Sequence, residues 1–444
     1  MGKEWAVLSP DEKQDLLFEK WLAPANTVFT STETQRLYRE RVTRIKAAIR
    51  LQKPDRVPIM PAIGFLPAYY AGTTPRDVMY DYDQLFRAWR KFTLDFAPDV
   101  HTGIANPGSG HLFDILDYKL YNWPGHGIAP EFSYQALEGE YVKADEYDAL
   151  LQDPSDFFRR VYLPRVLGAF APFSELPPLT YILELPTTGP NLAAYGLPVM
   201  QEALQKLAEA GREALKWIGY VGRFNQEMAS AGFPASFAGF TKAPFDTIGD
   251  TLRGTKGIMM DMYRQPAQLL KALDVITPIM INMGVSATRA NGNPLIFIPL
   301  HKGADGFLSD KQFRTFYWPS FKKLLLGLIA EGCVPCCFAE GGYNSRLEII
   351  KDIPKAKTVW LFDATDMSRA KQILGDTACI AGNVPISLLS VGTTRDVEDY
   401  VKNLIDIAGK GGGFIMANGA VMDRVKPENV HAMIDLTKEY GVYK

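Results

Sequence analysis

Cysteine is scarce in this 444-residue chain: there are four, Cys333, Cys336 and Cys337 crowded together and Cys379 apart. Too few for a disulfide framework, they make a reducing cytoplasm the expected setting. Histidine is nearly as rare, at five. No sign of charge dominates, since 48 basic and 50 acidic side chains leave a formal charge of −2. Such a chain has no field to gather nucleic acid or an anionic membrane. The longest apolar runs, such as 324–330, fall far short of the ~20 residues a membrane helix needs. The start of the chain lacks a signal-peptide core, and Ala6 breaks the myristoylation pattern. No Gly-rich phosphate loop follows a strand, no Gly-x-Ser-x-Gly elbow is present, and no His-Glu-x-x-His motif occurs. What remains is 47% hydrophobic and 22% charged, the balance of a globular chain with a large core. Secreted, membrane-spanning and disordered classes are therefore not expected.

The first ~35 residues mix charge with a few aromatics and read as an arm that packs on something larger. Tyr38, Val42, Ile45 and Ile49 then fall at spacings of three and four, which predicts one helix over 37–50. Pro54 ends it, and 57–62 reads as a short buried strand. The carboxy-terminal half alternates. Apolar runs at 294–300, 333–339, 358–362, 377–381 and 413–417 are each followed by a helical pattern, one opening at Ser309 with Gln312 completing a capping box. Apolar strands flanked by helices mean a parallel sheet buried on both faces. A doubly wound sheet and a closed (β/α)8 barrel both fit. The barrel is favoured because His301, Glu340, Asp363, Asn383 and Asn418 each follow a strand and would converge on one rim. The expected architecture is α/β, a (β/α)8 TIM barrel over 37–444 with an N-terminal helical arm over 1–36. Insertions fall between His101 and about Phe240.

Each rim residue has two readings. His301 is a metal ligand or general acid/base, or a histidine hydrogen-bonded to a neighbouring loop. Glu340 is a ligand or acid/base, or half of an ion pair. Asp363 is the better catalytic candidate beside Asp366, whose place before a helix suits an N-cap. Asn383 and Asn418 orient a substrate or satisfy turns. Asp246 and Asp250, four apart, split acid and base roles or pair with Arg253 or Lys242. His101, His111 and His126 read as surface-loop histidines. Cys336, Phe338 and Glu340 share one strand face while Cys337 takes the other. The cysteines read as small buried hydrophobes, because no second pair stands at zinc spacing.

The stretch Arg44 to Pro58 (RIKAAIRLQKPDRVP), Gly382 to Thr393 (GNVPISLLSVGT), Gly411 to Ile415 and Pro427 to Asn429 together resemble the uroporphyrinogen decarboxylase superfamily over residues 37–444. That resemblance implies the same barrel, and either cofactor-free decarboxylation of porphyrinogens or zinc-dependent methyl transfer with corrinoid proteins. Two departures decide between them. Where the decarboxylases carry an arginine-bearing MRQAGR stretch for substrate carboxylates, Met60 to Tyr70 (MPAIGFLPAYY) has no basic residue. A polycarboxylate would lose its bidentate partners, whereas an apolar or aromatic substrate suits. Where coenzyme M methyltransferases carry His-x-Cys-Gly and a late Cys, this chain has Phe338-Ala-Glu-Gly341 and Ala420. The thiolate site is gone, and a harder His/carboxylate site suited to an ether oxygen remains.

The expected function is therefore a corrinoid-dependent methyltransferase of the O-demethylase type, acting on a small O-methylated, for instance methoxyaromatic, compound. His301 and Glu340 are the expected metal ligands, zinc the expected metal, and Asp363 and Asn383 the catalytic residues. The expected partners are the methyl donor, a corrinoid protein and, by resemblance, a second copy of the chain. The alternative is a metal-independent decarboxylase or lyase acting on a small carboxylate.

Overall fold

The computed structural model describes residues 5–25 and 27–444; residues 1–4, on which the targeting expectation rests, lie outside them. Six parallel strands stand in sequential order: β1 (Gly239–Phe240), β2 (Leu295–Leu300), β3 (Val334–Ala339), β4 (Val359–Phe362), β5 (Cys379–Ala381) and β6 (Phe414–Ile415). Two extended segments complete the ring. Residues 57–60 lie against β6 through a parallel bridge at Ile59. Met60 N–H donates to the Met416 carbonyl at 2.9 Å and Met416 N–H to that of Pro58 at 2.8 Å. Residues 99–101 come next, with Asp99 N–H on the Ile59 carbonyl (3.1 Å), His101 N–H on that of Pro234 (3.0 Å) and Ser236 N–H returning to His101 (2.9 Å). Ala238 N–H then reaches the Leu295 carbonyl at 2.8 Å, beside β2. These bonds close a (β/α)8 barrel. The strand expected at 57–62 carries only bridges, because Pro58 and Pro61 have no N–H to give.

The period of two sorts the strand side chains. Leu295, Val334, Cys336, Phe338, Val359, Leu361, Cys379, Ala381, Ile415 and Ala417 fill the cylinder in one cluster. Ile296, Ile298, Leu300, Cys337, Ala339, Trp360 and Phe362 pack in another, against the outer helices. Continuing the inward set by two puts Glu340, Asp363 and Asn383 at the mouth. The four cysteines are free and buried, as small hydrophobes. Burial holds the Cys336 and Cys337 thiols well above their ordinary range, so neither carries a thiolate at neutral pH.

The far end is stoppered. Helices α1 (Pro10–Leu22) and α2 (Thr32–Ile49) drive Phe18, Trp21, Tyr38, Val42, Ile45 and Ile49 into the interior cluster. Helix α2 starts five residues earlier than its apolar stripe predicts, because Ser31 and Thr34 cap it reciprocally. Asp99, fully buried, receives Arg44 Nη1 (2.6 Å), Arg56 Nη1 and Nη2 (2.9 and 2.8 Å) and Ile59 N–H (2.8 Å). The Arg44 to Pro58 motif is thus a floor joint. Arg44 ties α2 and Arg56 ties the first stave to the second.

The region between the second and third staves holds the insertions: a small three-stranded sheet within 121–136, several short helical turns and the long helix α3 (Pro198–Ser230). His101 is corrected from a surface-loop histidine. It ends the second stave, 2% exposed, its ring edge-on to Phe224 at 5.3 Å. Among the described residues one helix, α4 (Pro266–Asn291), is long and apolar enough to cross a membrane. It packs instead on the barrel wall through Leu269, Leu273, Ile276 and Val285. The helix expected from Ser309 is capped by Ser309 and Gln312 but widens into a π turn over Phe313–Tyr317 before α5 (Trp318–Ala330). Pro319, without an N–H, cannot continue a regular ladder.

Candidate active site

His301 and Glu340, from the ends of β2 and β3, meet at the open end. His301 Nε2 lies 3.7 Å from Glu340 Oε1, and both side chains are partly exposed. The groups that hold His301 there are Asp246 and Asp250, which the sequence offered as acid/base or ion-pair residues without linking them to the histidine. Asp246 and Asp250 both lie on a turn that begins at Pro244 and widens into a π turn over Thr247–Leu252. Asp246, fully buried, accepts the backbone N–H groups of His301 (3.1 Å) and Lys302 (3.0 Å) and the Tyr317 hydroxyl (2.8 Å). Asp250 takes the imidazole itself, its Oδ2 at 2.6 Å from His301 Nδ1. One carboxylate therefore fixes the loop backbone, and the other fixes the ring. From the far side fully buried Arg346 donates to the Gly303 carbonyl at 3.2 Å and pairs with Asp310.

Two lysines complete the cluster. Lys242 Nζ stands 2.6 Å from Asp250 Oδ2, the ion pair that the spacing suggested. Lys302 Nζ bridges Asp250 Oδ1 (3.0 Å), Thr255 (2.8 Å) and Glu138 (3.4 Å). The electrostatics follow. Burial, reinforced by the charge of Asp250, pushes Asp246 up to about 6. Burial alone would raise Asp250, but the His301 hydrogen bond and Lys242 outweigh it and hold that carboxyl well below the usual range. Burial would lower the pKa of His301, and the bond to Asp250 overturns this and raises it. Burial raises Glu340; His301 opposes this, and Asp246, Asp250 and Asp363 add to the rise.

Asp363 neighbours this pair, its Oδ2 accepting Gly341 N–H at 3.0 Å. The Asn383 amide donates to the carbonyls of Asp363 and Thr365, both at 2.9 Å, and accepts from Tyr400. It therefore shapes the loop that carries Asp363. Asn418 donates to the Ala62 carbonyl (2.8 Å) and accepts from Ala62 N–H (2.9 Å), stapling the last stave to the first loop. Among the described residues no group of three or more His, Cys, Asp or Glu is disposed to hold a metal. The His301–Glu340 pair offers two donors, with the second nitrogen of the histidine on a carboxylate, the usual support behind a metal-bound imidazole.

Cavities also flank the barrel among the described residues. One of about 710 Å³ runs along α2 at the stoppered end, lined by Arg36, Arg39, Glu40 and Lys53 among others, and is remote from these groups. A smaller one of about 220 Å³ lies in the insertion, walled by Phe113, Tyr118, Tyr121, Trp123 and Tyr134.

A (β/α)8 barrel with a stoppered floor and an aspartate–histidine–glutamate cluster at the carboxyl ends of its strands has the anatomy of an enzyme. The Uroporphyrinogen decarboxylase (URO-D) family matches residues 185–440, more than half of the chain, and the chain belongs to that family. Among solved structures it is similar to a methyltransferase from Methanosarcina mazei, at 16% identity over 91% of this chain and 98% of that one, with a TM-score of 0.59. It also overlaps a B12-independent methionine synthase from Shewanella sp. W3-18-1, at 11% identity over 46% of this chain and 60% of that one, with a TM-score of 0.32. At such identities the first likeness concerns the fold. No curated protein matches the sequence significantly.

Proposed function

We propose that the chain is a methyltransferase that moves a methyl group from a small O-methylated compound to a corrinoid carried by a partner protein. The observation that carries this reading is the His301–Glu340 pair at the mouth, backed by Asp250. The carbon–oxygen bond breaks with both electrons left on oxygen, so that oxygen has to be met by a positive group. A zinc there would be held by His301 and Glu340 and would supply Lewis acidity at that oxygen, while the corrinoid would supply the nucleophile for the methyl carbon. Asp250 keeps a proton on Nδ1, which turns Nε2 toward the mouth. Asp246 pins the backbone on both sides of that ring, so no reorganisation is needed during reaction. Lys242 and Lys302 saturate Asp250 and keep its charge from competing for the substrate site. The absence of arginine from 60–70 and the 16%-identical methyltransferase fold support methyl transfer over porphyrinogen decarboxylation.

The test is metal analysis of the purified protein together with a methyl-transfer assay to a free corrinoid. Bound zinc is expected, lost in His301→Ala and Glu340→Ala, with transfer down at least ~100-fold in both. Full activity in both variants removes the reading. Release of carbon dioxide from a small aromatic carboxylate without any corrinoid replaces it with a lyase that uses Glu340, raised by burial, as its acid.

A further inference from the structure

We propose that the aromatic belt of Phe113, Tyr118, Tyr121, Trp123 and Tyr134 binds a planar, oxygen-substituted aromatic ring, the body of the methyl donor. The belt is continuous. Ring centroids lie 5.2 Å apart for Phe113 and Tyr118, 5.5 Å for Phe113 and Trp123, 5.9 Å for Tyr118 and Tyr121, and 5.7 Å for Tyr121 and Tyr134. Trp123 is fixed in place, stacked on His126 at 4.1 Å with its Nε1–H on the Tyr80 hydroxyl. The half-open space that the belt lines is about 220 Å³. A dry cavity of about 150 Å³ already holds benzene, so there is room here for one ring and a small substituent.

The polar atoms of the belt say what the substituent is. Among the described residues the hydroxyls of Tyr118, Tyr121 and Tyr134 make no hydrogen bond to protein, and Tyr134 is 43% exposed. Asn106 is the one other polar side chain in the wall, and no carboxylate lines it. Three unspent phenols and an amide match a ring bearing hydroxyl or methoxy oxygens. A quaternary ammonium, which such a cage also attracts, would find no counter-charge. The belt adjoins the barrel mouth at the first rim loop. Tyr134 packs on Phe65 of the first rim loop at 5.7 Å.

This assignment rests on the methyl-donor reading, but its test needs no acceptor. Calorimetric titration of the full chain with 2-methoxyphenol, 1-methoxybutane and tetramethylammonium compares ring, chain and cation. The ring is expected to bind at least tenfold more tightly than the other two. Tyr121→Phe should weaken it about fivefold to tenfold, one hydrogen bond's worth, and Phe113→Leu by a similar factor. Equal binding of the aliphatic ether, tighter binding of the cation, or indifference to both substitutions overturns the proposal. Ring binding that follows these substitutions, in a protein that transfers no methyl group, leaves the belt standing and removes the reading of the preceding section. Methyl transfer that ignores both substitutions does the reverse.

Discussion

At the floor of the barrel Asp99 is surrounded by Arg44, Arg56 and a backbone N–H, and every donor that reaches it comes from protein. At the mouth Asp250 is surrounded by Lys242, Lys302 and His301, the same chemistry of one carboxylate among cations. The difference lies in what is left over. The two arginines meet Asp99 away from solvent, so the floor cluster is a rivet. His301 spends one ring nitrogen on Asp250 and presents the other to Glu340, 3.7 Å away at the partly exposed mouth, so the mouth cluster is a tool holder. Burying a carboxylate among cations therefore carries no functional meaning by itself; an uncommitted atom beside it does.

Three substitutions would break or sharpen that contrast. Asp99→Asn leaves two arginines facing each other at the floor and should cost about 3–5 kcal/mol. Chemical denaturation reads this directly, and whatever remains folded should keep its activity. A loss below 1 kcal/mol would mean that the floor is not held by this joint. Asp250→Asn inverts the pattern. Methyl transfer should fall about 10–100-fold as the histidine loses its orienting partner, with a stability cost of about 1–2 kcal/mol. Unchanged transfer would strip Asp250 of its role.

The smallest effect belongs to the arm. Burial would raise Glu331, but Trp5, Lys13 and Arg289 outweigh it and hold the carboxyl at about 2, against an ordinary 4.5. Charged Glu331 thus adds stability above about pH 4.5 that is lost as the pH falls toward 2. Glu331→Gln should cost under about 1 kcal/mol at neutral pH, the ordinary size for a partly exposed pair. Parent and variant should converge in acid melts. A gap that widens on acidification would contradict the sign.

The strands of the second half were legible because each is buried on both faces and so reads as an unbroken apolar run ending in a polar residue. His301 and Glu340 could be placed on one rim for the same reason. Asp250 could not be assigned to His301, since the two lie 51 residues apart and meet through a π turn that no periodicity announces. The Asp246/Asp250 spacing was the available signal. Its predicted ion pair with Lys242 formed, yet the contact with His301 was invisible. His101 looked like a loop residue because glycines and prolines crowd its neighbourhood, whereas one short stave runs through it. The aromatic belt left no pattern either, being assembled from a small irregular sheet and the turns around it.

Phe18 and Trp21 at the base have a kinetic consequence. A cylinder corked at one end has a single doorway, so whatever is consumed and whatever is produced must pass through the same opening. A reactant the size of a protein domain would shut that doorway on arrival. On the function proposed above, the small molecule therefore enters before its macromolecular partner, and the products leave in the reverse order.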